Sequence, residues 1–230
     1  MSQTAIITGG TGGLGSGVVG RLLDDGWRVV VPWIVEDELS RVSEREGLEL
    51  VQADLFDPDA VASVVAVAGS SREAPLRGVV NLVGGFAAGA RAHETPIEEF
   101  EQQFRLNLRP TYLMVQAAVP HLLSGGGGSI VCVGTRAALQ PFPGAAGYIS
   151  SKAAVIAFAH AVAIEYKNDG IRCNTILPSV IDTPGNRAGM PKADFDRWVK
   201  PDQIAGVIAW LLSDDSAPTS GAAIPVYGRA

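Results

Sequence analysis

The chain has 230 residues, of which 47% are hydrophobic and 18% are charged, values typical of one globular domain with a single substantial core. Its formal net charge is −6 at pH 7, and its lysines and arginines are scattered. The sequence therefore offers no basic stripe for a nucleic acid and no polybasic run for an anionic membrane, and we expect neither as a partner.

Short β-branched or apolar segments recur along the chain and predict about seven strands. Most show no polar alternation, which is typical of strands buried on both faces of a sheet. The predicted strands are 4–8, 27–31, 48–54, 78–84, 129–134, 171–177 and 223–228.

Segments with helical periodicity lie between these strands, at 15–25, 58–68, 97–123, 148–169 and 202–213. Alternating strands and helices predict right-handed crossovers. We therefore expect an α/β fold over residues 1–230, a single-domain doubly wound parallel sheet with helices on both faces. The stretch SGGGGS at 124–129 resembles a linker, but its place between a helix and a strand predicts a turn.

A glycine-rich turn follows the first predicted strand, where Gly9, Gly13 and Gly15 have the spacing T-G-x-x-x-G-x-G. Residues without Cβ let the backbone approach a pyrophosphate, and the next helix points its N–H groups at the anion. This order predicts a dinucleotide site. A Walker loop is excluded because it needs a lysine after the last glycine, and the first lysine of the chain is Lys152.

Tyr148 and Lys152 are four residues apart, so in a helix they would project from one face. A tyrosine with its ordinary pKa near 10 is a serviceable acid at neutral pH, and a nearby ammonium lowers that pKa. The pair alone would also suit a solvated helix surface.

Together, TGGTGGLG and the downstream YISSK resemble the short-chain dehydrogenase/reductase family over essentially the full chain. The resemblance implies NAD or NADP as cofactor and four catalytic residues. Tyr148 would be the acid/base, and Lys152 would lower its pKa and bind the nicotinamide ribose. Thr135 stands where the family has a serine, and it would orient the substrate, while Asn107 would relay protons.

Further positions match the family's cofactor contacts, although NLVG at 81–84 and PSVIDT at 178–183 match its motifs only in part. The contacts implied by the resemblance, besides Tyr148 and Lys152, are Gly9, Thr11, Gly13, Leu14, Gly15, Trp33, Asp54, Leu55, Asn81, Gly84, Pro178, Ile181 and Thr183.

The choice between NAD and NADP depends on the end of the second strand, where an Asp favours NAD and an Arg favours NADP. Trp33 and Ile34 occupy these positions, so neither marker is present. The nearby Glu36 and Asp37 would repel a 2′-phosphate, which slightly favours NAD. Trp33 would either cover the adenine or pack at the surface.

Several segments, among them GGFAAG at 84–89 and residues 181–198, are similar to dihydropteridine reductases. The sequence thus favours hydride transfer on a small carbonyl or alcohol, with reduction of a quinonoid pterin as one alternative. A dinucleotide-sensing module without catalysis is the other, since Leu82, Ser179, Trp33 and Thr135 depart from the family pattern.

Residues 184–200 would close over the substrate, with Asn186, Met190, Phe195 and Trp198 as candidate lid residues, or would form an ordinary surface excursion. The resemblance also implies a homodimer or homotetramer in which the long helices contact a partner subunit.

Cys132 and Cys173 lie in apolar segments without metal-ligand spacing, which predicts buried free thiols. The three histidines show no metal or triad spacing, and we expect no metal site. No apolar run approaches the length of a membrane span, and the N-terminus lacks a signal pattern, so we expect a cytoplasmic protein.

Overall fold

The computed structural model of the protein describes residues 3–229. Its sheet has seven parallel strands in the order β3-β2-β1-β4-β5-β6-β7, which confirms the predicted doubly wound architecture. The strands are β1 (Thr4–Thr8), β2 (Arg28–Trp33), β3 (Leu48–Gln52), β4 (Leu76–Asn81), β5 (Gly128–Val133), β6 (Ile171–Pro178) and β7 (Ala223–Val226).

Helices cover both faces of this sheet. They are α1 (Gly15–Asp24), α2 (Pro58–Ala68), α3 (Ile97–Asn107), α4 (Arg109–Gly125), α5 (Ala146–Glu165), α6 (Pro184–Gly189) and α7 (Pro201–Leu212). Short 3₁₀ helices lie at Glu36–Arg41, Arg136–Ala138, Lys167–Asp169, Phe195–Arg197 and Asp214–Ser216.

The core consists of two apolar layers, because alternate residues of each strand point to opposite faces of the sheet. Ile6 and Ile130 pack into the layer formed with α2, α4 and α5. Ile7 and Val131 pack into the layer formed with α1 and α7. Cys132 and Cys173 are buried free thiols, as predicted.

The prediction of one continuous helix over 97–123 is wrong, because the chain breaks at Leu108 between α3 and α4. Pro110 explains the break. It has no N–H to donate to the carbonyl of Leu106, and its ring would collide with that carbonyl in a continuous helix. Asn107, the last residue of α3, consequently lies at an interruption of the backbone ladder and is fully buried.

One helix among the described residues, α5, is long and apolar enough to cross a membrane by length and composition alone, although Lys152 interrupts its apolar sequence. In this fold one face of α5 packs on the sheet. Val155, Ala159 and Val162 are buried against the sheet. The helix is also shorter than predicted, because residues 167–169 form a separate 3₁₀ turn.

The glycine run before β5 forms the predicted turn. Gly127 has φ of +108°, and a Cβ there would lie 2.4 Å from the carbonyl oxygen of Gly170. A side chain at this position would therefore collide with the backbone of the neighbouring connection, which explains why the turn requires glycine.

The strand order reverses direction between β1 and β4, which are neighbours in the sheet although β2 and β3 separate them in sequence. In open parallel sheets a crevice forms at such a switch point, outside the carboxyl ends of the strands. The glycine loop follows β1, and Gly84 lies just beyond β4. Both predicted cofactor segments therefore lie at the crevice.

Candidate active site

Tyr148 and Lys152 lie in the first two turns of α5, next to the carboxyl end of β5. Tyr148 is half-buried, whereas Lys152 is only 6% exposed. The Lys152 Nζ donates a hydrogen bond of 2.9 Å to the carbonyl oxygen of Val133, the last residue of β5. The long lysine side chain therefore runs inward along the helix and does not lie on a solvated surface.

Burial lowers the pKa of Lys152 to about 8, partly opposed by the nearby thiol of Cys132. Desolvation penalises the ammonium form because the interior cannot solvate a charge as water does. At neutral pH the group stays protonated, so the site holds one buried positive charge.

Replacing this lysine changes how stability depends on pH. From pH 8 to 10.5 the folded protein loses the Lys152 proton while the unfolded chain keeps it, so the contribution of Lys152 to the free energy of unfolding rises with pH. For Lys152→Met we expect the wild-type minus variant difference to rise by up to about 3 kcal/mol across this window. Urea unfolding at several pH values measures it. Lys167→Met, at an exposed lysine, is the control, and equal pH slopes for the two variants would contradict the expectation.

Thr135 lies two residues after the end of β5 and shares a hydrogen bond with Tyr148. It is 8% exposed, and its Oγ1 accepts a hydrogen bond from the Ala137 N–H at 3.3 Å. Burial raises the pKa of Tyr148, and a hydrogen bond with the Thr135 side chain lowers it in part. Tyr148 is therefore a protonated acid at neutral pH in the protein without cofactor. The expected lowering of its pKa by Lys152 stays a prediction.

Asn107 joins three segments of the site. Its Oδ1 accepts from the Gly85 N–H at 2.9 Å, and its Nδ2 donates to Ser151 Oγ at 3.0 Å. Ser151 in turn donates to the Tyr148 carbonyl oxygen at 2.8 Å. The interruption at Leu108 thus lets one buried amide connect α3, α5 and the loop after β4.

Gly84 lies against the same junction. A Cβ there would lie 2.6 Å from Asn107 Oδ1 and 2.9 Å from Lys152 Nζ. The absence of a side chain therefore lets the loop after β4 pass close to Lys152.

The loop between β1 and α1 fits a dinucleotide pyrophosphate. In residues 3–229 the N–H groups of Gly13 and Leu14 donate to no protein acceptor, and α1 follows them directly. A Cβ on Gly15 would lie 2.0 Å from the Gly9 carbonyl oxygen, so the loop can close only around glycine. Open donors at a helix N-terminus suit a diphosphate.

Glu38 lies beside this loop, which the sequence pattern did not indicate. The Thr11 hydroxyl donates to Glu38 Oε2 at 3.0 Å, and Arg41 Nη1 donates to Glu38 Oε1 at 2.9 Å. The 3₁₀ turn after β2 aims this carboxylate inward and leaves Glu36 and Asp37 exposed. The conformation of that turn is the reason that Glu38, and not Glu36 or Asp37, contacts the glycine loop.

The other predicted cofactor residues lie at or just after the carboxyl ends of the strands. Trp33 ends β2 and is half-buried, while Asp54 is exposed and accepts from the Phe56 N–H at 2.9 Å. Asn81 ends β4, and its buried side chain donates towards the Cys132 thiol at 3.9 Å. Leu55 is buried after β3, and Pro178 ends β6.

The segment after β6 turns back towards the glycine loop. Thr183 caps α6 by accepting from the Asn186 N–H, and a Cβ on Gly13 would lie 3.2 Å from Thr183 Cγ2. Ile181 pairs with Val199 in a parallel bridge, which ties the two ends of the segment together.

Among the candidate lid residues, Met190 is 41% exposed, whereas Trp198 is only 7% exposed and packs on Phe195 at a ring distance of 4.8 Å. Trp198 therefore anchors the segment and is not free to close over a substrate.

Two concave surfaces lie near these elements. A cavity of about 160 Å³ touches Tyr148 and is lined by residues 87–90 and 144–148, with Thr95, Glu99, Phe100 and Gln103. A larger groove of about 670 Å³ lies on α3, α4 and α5 and is lined by Phe104, Arg105, Leu108, Arg109, Tyr112 and Phe158. The groove contains none of the predicted site residues, and the expected subunit contact of these helices stays a prediction.

Comparison with known proteins agrees with this geometry. The chain is 29% identical to 2-(R)-hydroxypropyl-CoM dehydrogenase of Xanthobacter autotrophicus, covering 99% of this chain and 98% of that one. It is 30% identical to 4-formylbenzenesulfonate dehydrogenase of Comamonas testosteroni, covering 98% and 96%. Among solved structures, 3-ketoacyl-(acyl-carrier-protein) reductase from Brucella melitensis complexed with NADH superposes with a TM-score of 0.86 at 28% identity, covering 99% and 98%.

The profile of the family described as short chain dehydrogenase matches residues 3–193. That match spans the glycine loop, Asn107, Thr135, Tyr148 and Lys152. The protein therefore belongs to the short-chain dehydrogenase/reductase family of oxidoreductases.

Proposed function

We propose that the protein transfers hydride between a nicotinamide cofactor and a small carbonyl or alcohol substrate, with Tyr148 as the acid/base. The proposal is carried by one observation at the carboxyl ends of the strands, where the glycine loop follows β1. There Tyr148 shares a hydrogen bond with Thr135, and the buried Lys152 is bonded to Val133, the last residue of β5. An acid, a second hydroxyl and a positive charge together are what reduction of a carbonyl requires.

A bound nicotinamide supplies the hydride for reduction or takes it up in oxidation. Tyr148 donates its phenolic proton to the substrate oxygen as negative charge develops there. The Thr135 hydroxyl donates its one proton in a hydrogen bond to the same oxygen, which orients and polarises the carbonyl. Burial raises the pKa of Tyr148 in the protein without cofactor, so the phenol carries its proton at neutral pH before the reaction.

Lys152 supports this step by its charge and position. Its ammonium stabilises the phenolate left on Tyr148, and it can bind a ribose hydroxyl beside Gly84. Asn107 fixes the position of α5 relative to the loop after β4, through its hydrogen bonds with Ser151 and Gly85. We assign it the proton relay that the family resemblance implies.

One assay series tests the proposal. NADH and NADPH are titrated against the protein, and turnover is then followed with a ketone and aldehyde panel and with a quinonoid dihydropterin. Cofactor-dependent reduction of a carbonyl supports the proposal. Tight cofactor binding with no turnover on any substrate would favour the non-catalytic dinucleotide sensor instead.

A quinonoid pterin is the second candidate substrate. Phe86, in the GGFAAG segment, is 64% exposed and lies edge-on to Tyr148 with ring centroids 4.9 Å apart, so a flat ring could stack beside the acid. The relative from Comamonas testosteroni is named for an aromatic aldehyde, which favours a carbonyl on a ring. The substrate panel separates the two.

We propose NAD as the preferred cofactor, and Glu38 supports this choice. Its carboxylate is held against the glycine loop by Thr11 and would repel a phosphate on the adenosine ribose. The arginine beside it, Arg41, is already paired with Glu38.

Removing the charge of Glu38 tests this assignment. In Glu38→Gln the repulsion is lost and Arg41 is released, so we expect the affinity for NADPH to rise about tenfold relative to NADH, a modest effect because water screens the site. Fluorescence titration with both cofactors measures the ratio. Glu36→Gln makes the same charge change at an exposed position of the same turn and should leave the ratio unaltered. Equal shifts in the two variants would refute the role of Glu38.

A further inference from the structure

Two exposed aromatic side chains lie next to each other, and one of them contacts Tyr148. Phe86 and Phe142 are 64% and 43% exposed, their ring centroids lie 6.4 Å apart, and Phe86 contacts the Tyr148 ring edge-on. Leu139, in the same loop as Phe142, is 59% exposed. Large apolar side chains clustered beside an acid/base group mark a surface that a ligand covers.

The backbone just before Phe86 is held by contacts with α3. The Gly85 N–H is bonded to the buried Asn107, and a Cβ on Gly85 would lie 2.4 Å from Leu106 Cδ2. At Gly84, one residue earlier, a Cβ would meet the side-chain ends of Asn107 and Lys152. Phe86 is the first residue after these two glycines, and its backbone is tied to Asn107 through the Gly85 N–H.

A second contact joins the loop of Phe86 to the loop of Phe142. The Gly89 N–H donates to the Gly144 carbonyl oxygen at 2.8 Å. Gly144 has φ of +81°, and a Cβ there would lie 2.7 Å from the Gly89 carbonyl oxygen, so the two backbones touch. This contact holds the loop that carries Phe86 against the loop that carries Phe142.

We propose that Phe86 and Phe142 form an aromatic platform that selects substrates whose reacting carbonyl is attached to a flat, conjugated ring. Such a ring stacks or meets edge-on with phenylalanine, and a saturated ring of the same size cannot do so as well. The hydroxyls of Tyr148 and Thr135 would then donate hydrogen bonds to the oxygen of the carbonyl attached to that ring. This inference rests on the proposed function for the chemistry, but the binding preference is a separate property.

The test compares acetophenone with cyclohexyl methyl ketone, which differ mainly in the flatness and conjugation of the six-membered ring. Calorimetry measures the Kd of each for the protein loaded with the oxidised cofactor, where no hydride is available to the ketone. Steady-state kinetics with the reduced cofactor then give KM and kcat.

In wild type we expect acetophenone to bind more tightly than the saturated ketone. Phe86→Leu keeps the apolar bulk and removes the ring, so the Kd and KM of acetophenone should rise about three- to tenfold while those of the saturated ketone stay within about twofold. Phe86→Trp should retain the preference. Trp210→Leu, at an aromatic on α7 with 41% exposure, is the control and should change neither ketone.

The outcomes separate this inference from the proposed function. Equal binding of the two ketones in wild type, or equal losses in Phe86→Leu, would overturn the platform even if both ketones turn over. A ring preference in Kd that depends on Phe86, without turnover of either ketone, would support the platform and count against the proposed carbonyl chemistry.

Discussion

Tyr148→Phe is expected to bind NADH as wild type does and to lose turnover by about 10²- to 10⁴-fold, the range that general acid catalysis contributes. The substitution removes only the hydroxyl. The ring contact with Phe86 and the hydrogen bond from Ser151 to the backbone of residue 148 do not involve that group. The loss should therefore fall on kcat, with KM little changed, because proton donation matters only in the transition state.

Cofactor titration and steady-state kinetics with one reducible ketone measure both properties. Tyr112→Phe is a matched control, because it removes the same hydroxyl from a tyrosine outside the predicted site. Tyr112 lies on α4, packs on Phe158, is 47% exposed and lines a groove that contains no predicted site residue. It should keep full activity. If Tyr148→Phe also kept full activity, the assignment of Tyr148 as the acid would be wrong.

Gly15→Ala is expected to weaken NADH binding by more than about 100-fold, a loss of roughly 3 kcal/mol. The new methyl would lie 2.0 Å from the Gly9 carbonyl oxygen and 2.6 Å from the Gly10 Cα, both of them backbone atoms. Backbone cannot move aside as a side-chain tip can, so the loop must open and its N–H groups must shift. Overpacking of this kind also costs about 1–3 kcal/mol of stability.

The matched control lies in the same helix. Gly20 has nothing within 4 Å of a Cβ, so Gly20→Ala should leave NADH binding unchanged and should stabilise α1 by about 0.5–1 kcal/mol. Fluorescence titration and thermal unfolding of the two variants give the comparison. Undiminished NADH binding by Gly15→Ala would show that the loop between β1 and α1 does not bind the pyrophosphate.

The sheet and the glycine loop could be predicted from sequence because their signals are local. Uninterrupted apolar runs mark strands buried on both faces, and a glycine cluster after the first strand marks the turn at its end. The placement of Tyr148 and Lys152 on one helix is equally local, since one helical turn separates them. For such elements the nearest neighbours in sequence determine the geometry.

The break at Leu108 shows where local periodicity fails. The apolar pattern continues through it, and only the missing N–H of Pro110 interrupts the backbone ladder. Glu38 could not be told from Glu36 or Asp37, because the hydrogen bond from Thr11 crosses 27 positions of sequence. The aromatic pair depends on a contact between Gly89 and Gly144, which no pattern within either loop contains.

The two anchored glycines on either side of Phe86 have a consequence for how this enzyme could diverge. Gly85 is bonded to Asn107 and Gly89 to Gly144, so the three residues between them form a short bridge with fixed ends. Point substitutions in residues 86–88 would alter the surface presented to a substrate while the backbone bonds at both ends of the bridge stay in place. A change of substrate could thus accumulate one residue at a time, with hydride chemistry intact at each step.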